Sequence, residues 1–383
     1  MKPNETELKL LSEIMQLKMK LESTRRAARE SSVKSLVSGS SLPVYSDLPT
    51  LAPVFTLRAH STKVHDVVWS DTDQYLLTVG AEGLIVVWDT TVGLIHNVLD
   101  GTSIQPVTAA SSGDARQVFC GGLCANVVLF QSMHQTADEG YSIYENHFVY
   151  EHSSQVNSIR LLSGSKLLTG AANDGALIWD IESVKVTGKY AHNLCAIECL
   201  GLLSGSEEAN IFLTGASDGQ IRQWDIRQPE SLVSIFEAHS STVNCIRPLP
   251  NGYNFVSGSE DTEIHLYDTR TDVILATYSD PHYPVSHTSL AEPDSISIAH
   301  SEGPLGFESA GVSDIAVSPS GRLLISGCKD WGVYYWDVAQ PNRWIHYETE
   351  IGPVIRVAMS NRKTALAMMT WDPKTRIRIM RPH

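Results

Sequence analysis

Three groups of residues have the types and spacing that chemistry uses. Gly215-Ala-Ser217-Asp-Gly219 satisfies the nucleophile-elbow pattern, which lifts a serine onto a sharp strand-to-helix turn. The following residues, Gln220 to Trp224, alternate as a strand, and the turn recurs as Gly258-Ser-Glu-Asp261, so it reads as a repeated β-turn and not as a hydrolase site. Cys120 and Cys124, and Cys195 and Cys199, would bring two thiolates together on a helix. On strands or turns they would not, and neither pair sits in a zinc knuckle, so the expectation is no metal. No Walker loop, His-Glu-x-x-His motif or dinucleotide-binding glycine fingerprint occurs, which leaves no cofactor and no catalytic residue to assign.

The third group repeats. His192, Thr214, Asp218 and Trp224 are echoed at matching spacing by His239, Ser257, Asp261 and Tyr267. A set that recurs is structural; these residues resemble those of WD-repeat proteins, and the resemblance implies a hydrogen-bonded relay among the four that gives the buried polar groups their partners. Glu82, Cys124 and Asn173 stand in the first three units where Asp is usual, so those units should be less firmly tied.

The elements that hold these sets follow from a longer period. Trp88-Asp89, Phe130-Gln131, Trp179-Asp180, Trp224-Asp225, Tyr267-Asp268 and Trp336-Asp337 are separated by 42, 49, 45, 43 and 69 residues, and Met380 lies 44 beyond Trp336. The long step contains residues 279–311, rich in Ser, Pro, Glu and His, which read as a surface insertion. Within a unit, alternating strands flank Gly/Asp turns. Such small sheets cannot cover both their faces alone, and stacking seven around an axis hides them. The fold expected is all-β, a seven-bladed propeller over 51–383. The chain stops after the third strand of the last unit, and Val54–Leu57, without a partner in their own unit, are expected to complete it.

Ahead of the repeats, residues 5–30 have helix composition, with Leu10, Ile14, Leu17, Leu21, Thr24 and Ala28 alternating four and three apart. That seam predicts a coiled-coil helix over 1–34, joined by a linker over 35–50; an amphipathic helix packed on its own domain is the other reading. Net charge is −14, yet residues 1–34 carry eight Lys/Arg against five Asp/Glu. The acidic body argues against wrapping nucleic acid. No leader or membrane-spanning run opens the chain, and six scattered cysteines form no disulfide framework, so a cytoplasmic protein is expected.

A helix, a linker and seven such repeats resemble the heterotrimeric G-protein beta subunits, a WD-repeat family. Cys120-Gly-Gly-Leu123, Trp179-Asp-Ile-Glu182, Pro250-Asn-Gly252, Ser320-Gly-Arg-Leu-Leu324 and Thr370-Trp371-Asp372 are similar to that family's blades in the same order. The resemblance implies a non-catalytic signalling scaffold that pairs with a gamma subunit through Leu10, Ile14, Leu17, Leu21 and Ala28. It also implies reversible pairing with a GDP-bound alpha subunit, or with effectors, through the top face. There Lys63, Leu123, Asn244 and Trp371 match the family in kind and Glu260 keeps its acidity, while His65, Gln105 and Val107 have changed. With no lipidation signal in this chain, attachment to the inner face of the plasma membrane would be indirect, through lipidated partners. Two rivals stand beside this reading: a WD-repeat adaptor that self-associates through its helix, and an enzyme using the central channel.

Overall fold

The computed structural model describes residues 51–383 except 113–114, 136–141, 164, 192–194, 204–209, 229–230, 280–310, 330–331, 349–352, 361–364, 371–376 and 383, together with Gln16, Leu17, Met19 and Lys20. Those four have helical backbone, and Leu17 is 63% exposed. The rest of the expected coiled-coil helix, the linker and most of the 279–311 insertion lie outside the described residues.

Seven four-stranded antiparallel sheets, here called blades 1 to 7, follow one another along the chain. Their innermost strands are β2 (Val64–Trp69), β6 (Pro106–Ser111), β10 (Val156–Ser163), β14 (Ile197–Leu203), β18 (Val243–Pro248), β22 (Val312–Val317) and β26 (Val354–Met359). Blades 1 to 6 each use four consecutive strands. Blade 7 takes β26, β27 (Leu366–Thr370) and β28 (Ile377–Pro382), and its fourth strand is β1 (Leu51–Leu57), from the start of the repeats. Strands β1 and β28 pair antiparallel from Leu51 opposite Pro382 to Leu57 opposite Ile377, so the two ends of the propeller lock together as the sequence led us to expect.

The core explains why the sheets gather. Alternation gives each blade two apolar faces, and seven buried clusters lie between neighbouring blades. The closing one sets Val64, Trp69 and Trp88 of blade 1 against Leu57, Ala367, Met369 and Ile377 of blade 7. Every inner strand carries a β-bulge near its start, between Val64 and Asp66 in blade 1 and at the equivalent place in the other six. A bulge re-aims the residues that follow it, and repeating it seven times turns the same side-chain positions toward the axis.

Candidate functional site: the propeller rim

In blades 1, 3, 4 and 6 a Trp indole donates to a Thr or Ser hydroxyl ten residues earlier: Trp88 to Thr78 (3.0 Å), Trp179 to Thr169 (2.9 Å), Trp224 to Thr214 (3.0 Å) and Trp336 to Ser326 (3.0 Å). These four indoles are buried and belong to the blade core.

The polar sets differ from expectation in three ways. In blade 5, His239 Nε2 meets Ser257 Oγ at 2.8 Å and its Nδ1 meets Asp261 at 2.9 Å, but Tyr267 is not the fourth member. Its hydroxyl donates to the Ala238 carbonyl (3.3 Å) and lies 3.2 Å from His265 Nδ1, because a phenol projects past the point where an indole N–H would meet Ser257. In blade 4, Asp218 accepts from Arg222 (2.5 Å) and from the Gln220 amide (3.0 Å), an internal ion pair absent from the expected set; His192 lies outside the described residues. In blade 3 the acid is Asp174, one residue beyond Asn173: its carboxylate accepts from the Ser153 amide at 2.7 Å and lies 3.4 Å from His152 Nδ1.

The same hydrogen bonding builds the rim. In six blades the turn between the second and third strands hangs from the carbonyl just before the inner strand, as in Ala81 N–H to Lys63 (2.7 Å), Leu123 to Gln105 (3.2 Å) and Glu260 to Thr242 (3.1 Å). Inner-strand entries and these turns therefore share one end of the propeller. That end carries seven of the eight residues that the resemblance placed on the top face: Lys63, His65, Gln105, Val107, Leu123, Asn244 and Glu260. Leu123 is 53% exposed, an apolar side chain standing clear of the turn. Trp371 lies outside the described residues.

Contacts between blades organise this end. Asn244 Nδ2 donates to Glu260 (3.0 Å) and to the Val312 carbonyl (2.8 Å), and Lys329 of blade 6 pairs with Glu260 of blade 5. Arg356 of blade 7 donates to the His65 carbonyl (3.2 Å) and lies 3.8 Å from Asp66. Burial, then the positive charges of Arg356 and Lys329, pull the Lys63 ammonium below its ordinary value. Burial, then Lys63 and Arg356, depress the His65 imidazole, outweighing Asp66 and Glu82. Lys63, Arg356 and Lys329 thus form a cationic arc tempered by Glu260. The sequence reading missed Lys329 and Arg356; both occupy repeat positions, the turn position of Ala81 and Glu260 and the post-bulge position of Asp66.

The chemical motifs resolve as structure. Ser217 sits in a turn between the strands Ile211–Ala216 and Gln220–Asp225. Cys120 is buried while Cys124 is exposed, so that pair does not converge. Among the described residues no group of three or more His, Cys, Asp or Glu side chains is arranged to hold a metal.

Comparison with known proteins agrees with the geometry. The WD domain, G-beta repeat family matches residues 51–89, 230–268 and 300–337. A guanine nucleotide-binding protein subunit beta of Saccharomyces cerevisiae is 26% identical over 342 residues, covering 85% of this chain and 79% of its own. Those of Oryza sativa subsp. japonica and Arabidopsis thaliana are each 24% identical, over 84% of this chain and 82% of theirs. With its stacked sheets, its recurring Trp–Ser/Thr bonds and these matches, the chain is a WD40-repeat β-propeller and a divergent relative of the G-protein beta subunits.

Proposed function

We propose that the chain is a non-catalytic scaffold of G-protein signalling. Its N-terminal helix holds a gamma-type subunit through Leu10, Ile14, Leu17, Leu21 and Ala28. Its rim holds a GDP-bound alpha-type subunit or, once that leaves, effectors. The observation that carries this reading is the rim itself, where the cations Lys63, Arg356 and Lys329 lie at the same end as the exposed Leu123. A positive arc beside an apolar anchor suits a partner segment that is acidic and partly apolar, and such complementarity gives specificity and a fast encounter. The exposure of Leu17 agrees with a helix that keeps a seam for another chain. On this reading the protein works at the inner face of the plasma membrane, carried there by lipidated partners.

The test is a pulldown of the full chain from native extract, with and without a stimulus that exchanges GDP for GTP. A partner lost on exchange and a small prenylated chain retained throughout is the expected result. Changing Leu17 and Leu21 to Asp removes the small chain while the propeller stays folded. A homodimer with no nucleotide-sensitive partner overturns the proposal in favour of a self-associating adaptor.

A further inference from the structure

The inner strands enclose a central cavity of about 580 Å³. Strand register fixes which side chains share a level in it. Counted from the bulge, Arg160 opposite Leu168 and Arg247 opposite Val256 hold the same position in blades 3 and 5. The other blades place Val68, Ala110, Gly201, Ala316 and Ala358 there. Two guanidinium groups therefore stand in a ring of otherwise small, uncharged residues, and the blade between them contributes only Gly201. Both arginines line the cavity.

The two are built alike up to one difference. Each donates an Nη1 hydrogen to the carbonyl of the residue before it, Arg160 to Ile159 (2.8 Å) and Arg247 to Ile246 (3.2 Å). Arg247 then pairs through Nη2 with Asp314 of the next blade at 2.7 Å. The residue that corresponds to Asp314 in the blade after Arg160 is Cys199, buried, with its thiol pushed up to about 12, first by burial. Among the described residues no carboxylate lies within ion-pair distance of Arg160. Burial and then the charge of Arg247 draw the Arg160 guanidinium down to about 10, against the weaker pull of Asp66 and Asp314. Arg160 is half-buried, and a guanidinium held in the channel without a carboxylate partner is one whose charge an oxyanion would complement.

We propose that the channel is a binding site for a phosphate-class oxyanion, with Arg160 as its principal ligand and Arg247 as the second. A guanidinium offers a planar fork that matches two oxygens of a phosphate, and here the Arg160 fork, bonded internally only to the Ile159 carbonyl, has no carboxylate partner among the described residues. Asp71, which also lines the cavity, follows the last residue of β2 by two and so marks the end away from the rim.

The experiment is calorimetric titration of the full chain with inorganic phosphate at constant ionic strength, chloride serving as the control anion. Saturable binding is expected, weakened at least about tenfold in Arg160→Gln and less in Arg160→Lys, which keeps the charge and loses the fork. Should Arg160→Gln fail to fold, Cys199→Asp supplies the missing carboxylate from within and produces the same loss. Sedimentation with vesicles containing phosphatidylinositol bisphosphate separates the sources: Arg160-dependent pelleting assigns the anion to a lipid headgroup, and phosphate binding without pelleting assigns it to a free phosphate. No binding beyond that of chloride, or binding unchanged in a folded Arg160→Gln variant, overturns the proposal.

Discussion

Blades 1 and 3 solve one problem with different success. Blade 1 carries Glu82 where Asp is usual and still makes the whole relay: His60 Nδ1 meets Glu82 at 2.5 Å, His60 Nε2 meets Thr78 at 2.7 Å, and Trp88 donates to Thr78 at 3.0 Å. Thr62 closes it: its hydroxyl donates to the Glu82 carboxylate and accepts in return from the Glu82 amide (2.9 Å). Blade 3 has an Asp, but both ring nitrogens of His152 are buried without a hydrogen-bond partner, the 3.4 Å approach to Asp174 being misaligned. His152 instead lies edge-on to Trp179, ring centroids 5.3 Å apart. The lesson is that carboxylate reach and position matter more than the identity of the acid. The expectation that Glu82 loosens blade 1 is corrected by the structure, because a longer side chain needs room and Gly80 provides it: a Cβ there would stand 2.3 Å from His60 Nδ1 and 2.6 Å from the Glu82 carboxyl. In blade 3 the matching position, two past the Thr, is Ala171, and the acid arrives one residue late.

The largest break in that contrast is expected from Gly80→Ala, which forces His60 and Glu82 apart. Overpacking together with a lost buried hydrogen bond costs about 2–4 kcal/mol, read as a lower denaturant midpoint with an unchanged slope. Ala171→Gly in blade 3 changes stability by no more than about 1 kcal/mol, the ordinary cost of a strand glycine.

Next in size, His60→Ala removes one buried partner each from Thr78 and Glu82 and lowers stability by about 2 kcal/mol, whereas His152→Ala removes a ring that already lacks partners and costs about 1 kcal/mol less. Equal losses in the two variants would show that the His152 ring is better satisfied than its geometry indicates.

The smallest effect is a pH dependence. For Glu82, burial pushes the pKa up, but hydrogen bonds from Thr62 and His60 outweigh it and hold the carboxyl below its ordinary value. Asp261 behaves alike, with burial opposed by His239. A depressed folded pKa means that the stabilisation is fully present above the unfolded value of about 4 and is lost as pH falls through the folded one. Between about pH 5 and 2, thermal denaturation should therefore show the wild type losing more stability than Glu82→Gln, which has no such proton to take up. Parallel curves would remove Glu82 from the relay.

Much of this was legible in the residues. The Trp–Asp spacing, the turns and the donation of β1 to the last sheet follow from patterns within one repeat or at its ends. Among the described residues, the alpha-facing positions read from the resemblance fall at one end because they occupy two repeat-level places, the entry to an inner strand and the following turn. What escaped was a side-chain choice within an intact backbone. Tyr267 looks interchangeable with Trp in a repeat alignment, yet its hydroxyl goes to Ala238; Asn173 stands where the count puts the acid, yet the turn presents Asp174.

Period and alternation are local properties of the chain, so the amino-acid sequence by itself determined the small sheets, their order and the need to hide their faces. Only the tertiary structure decided which charges meet. Arg356 reaches the carbonyl of His65 across 291 residues, and Lys329 reaches Glu260 across 69. Arg160 is left without the acid that Arg247 has because a different strand presents Cys199 at that place. Such encounters depend on closing the ring, which sets residues from distant repeats side by side in a low-dielectric interior where each unmatched charge counts.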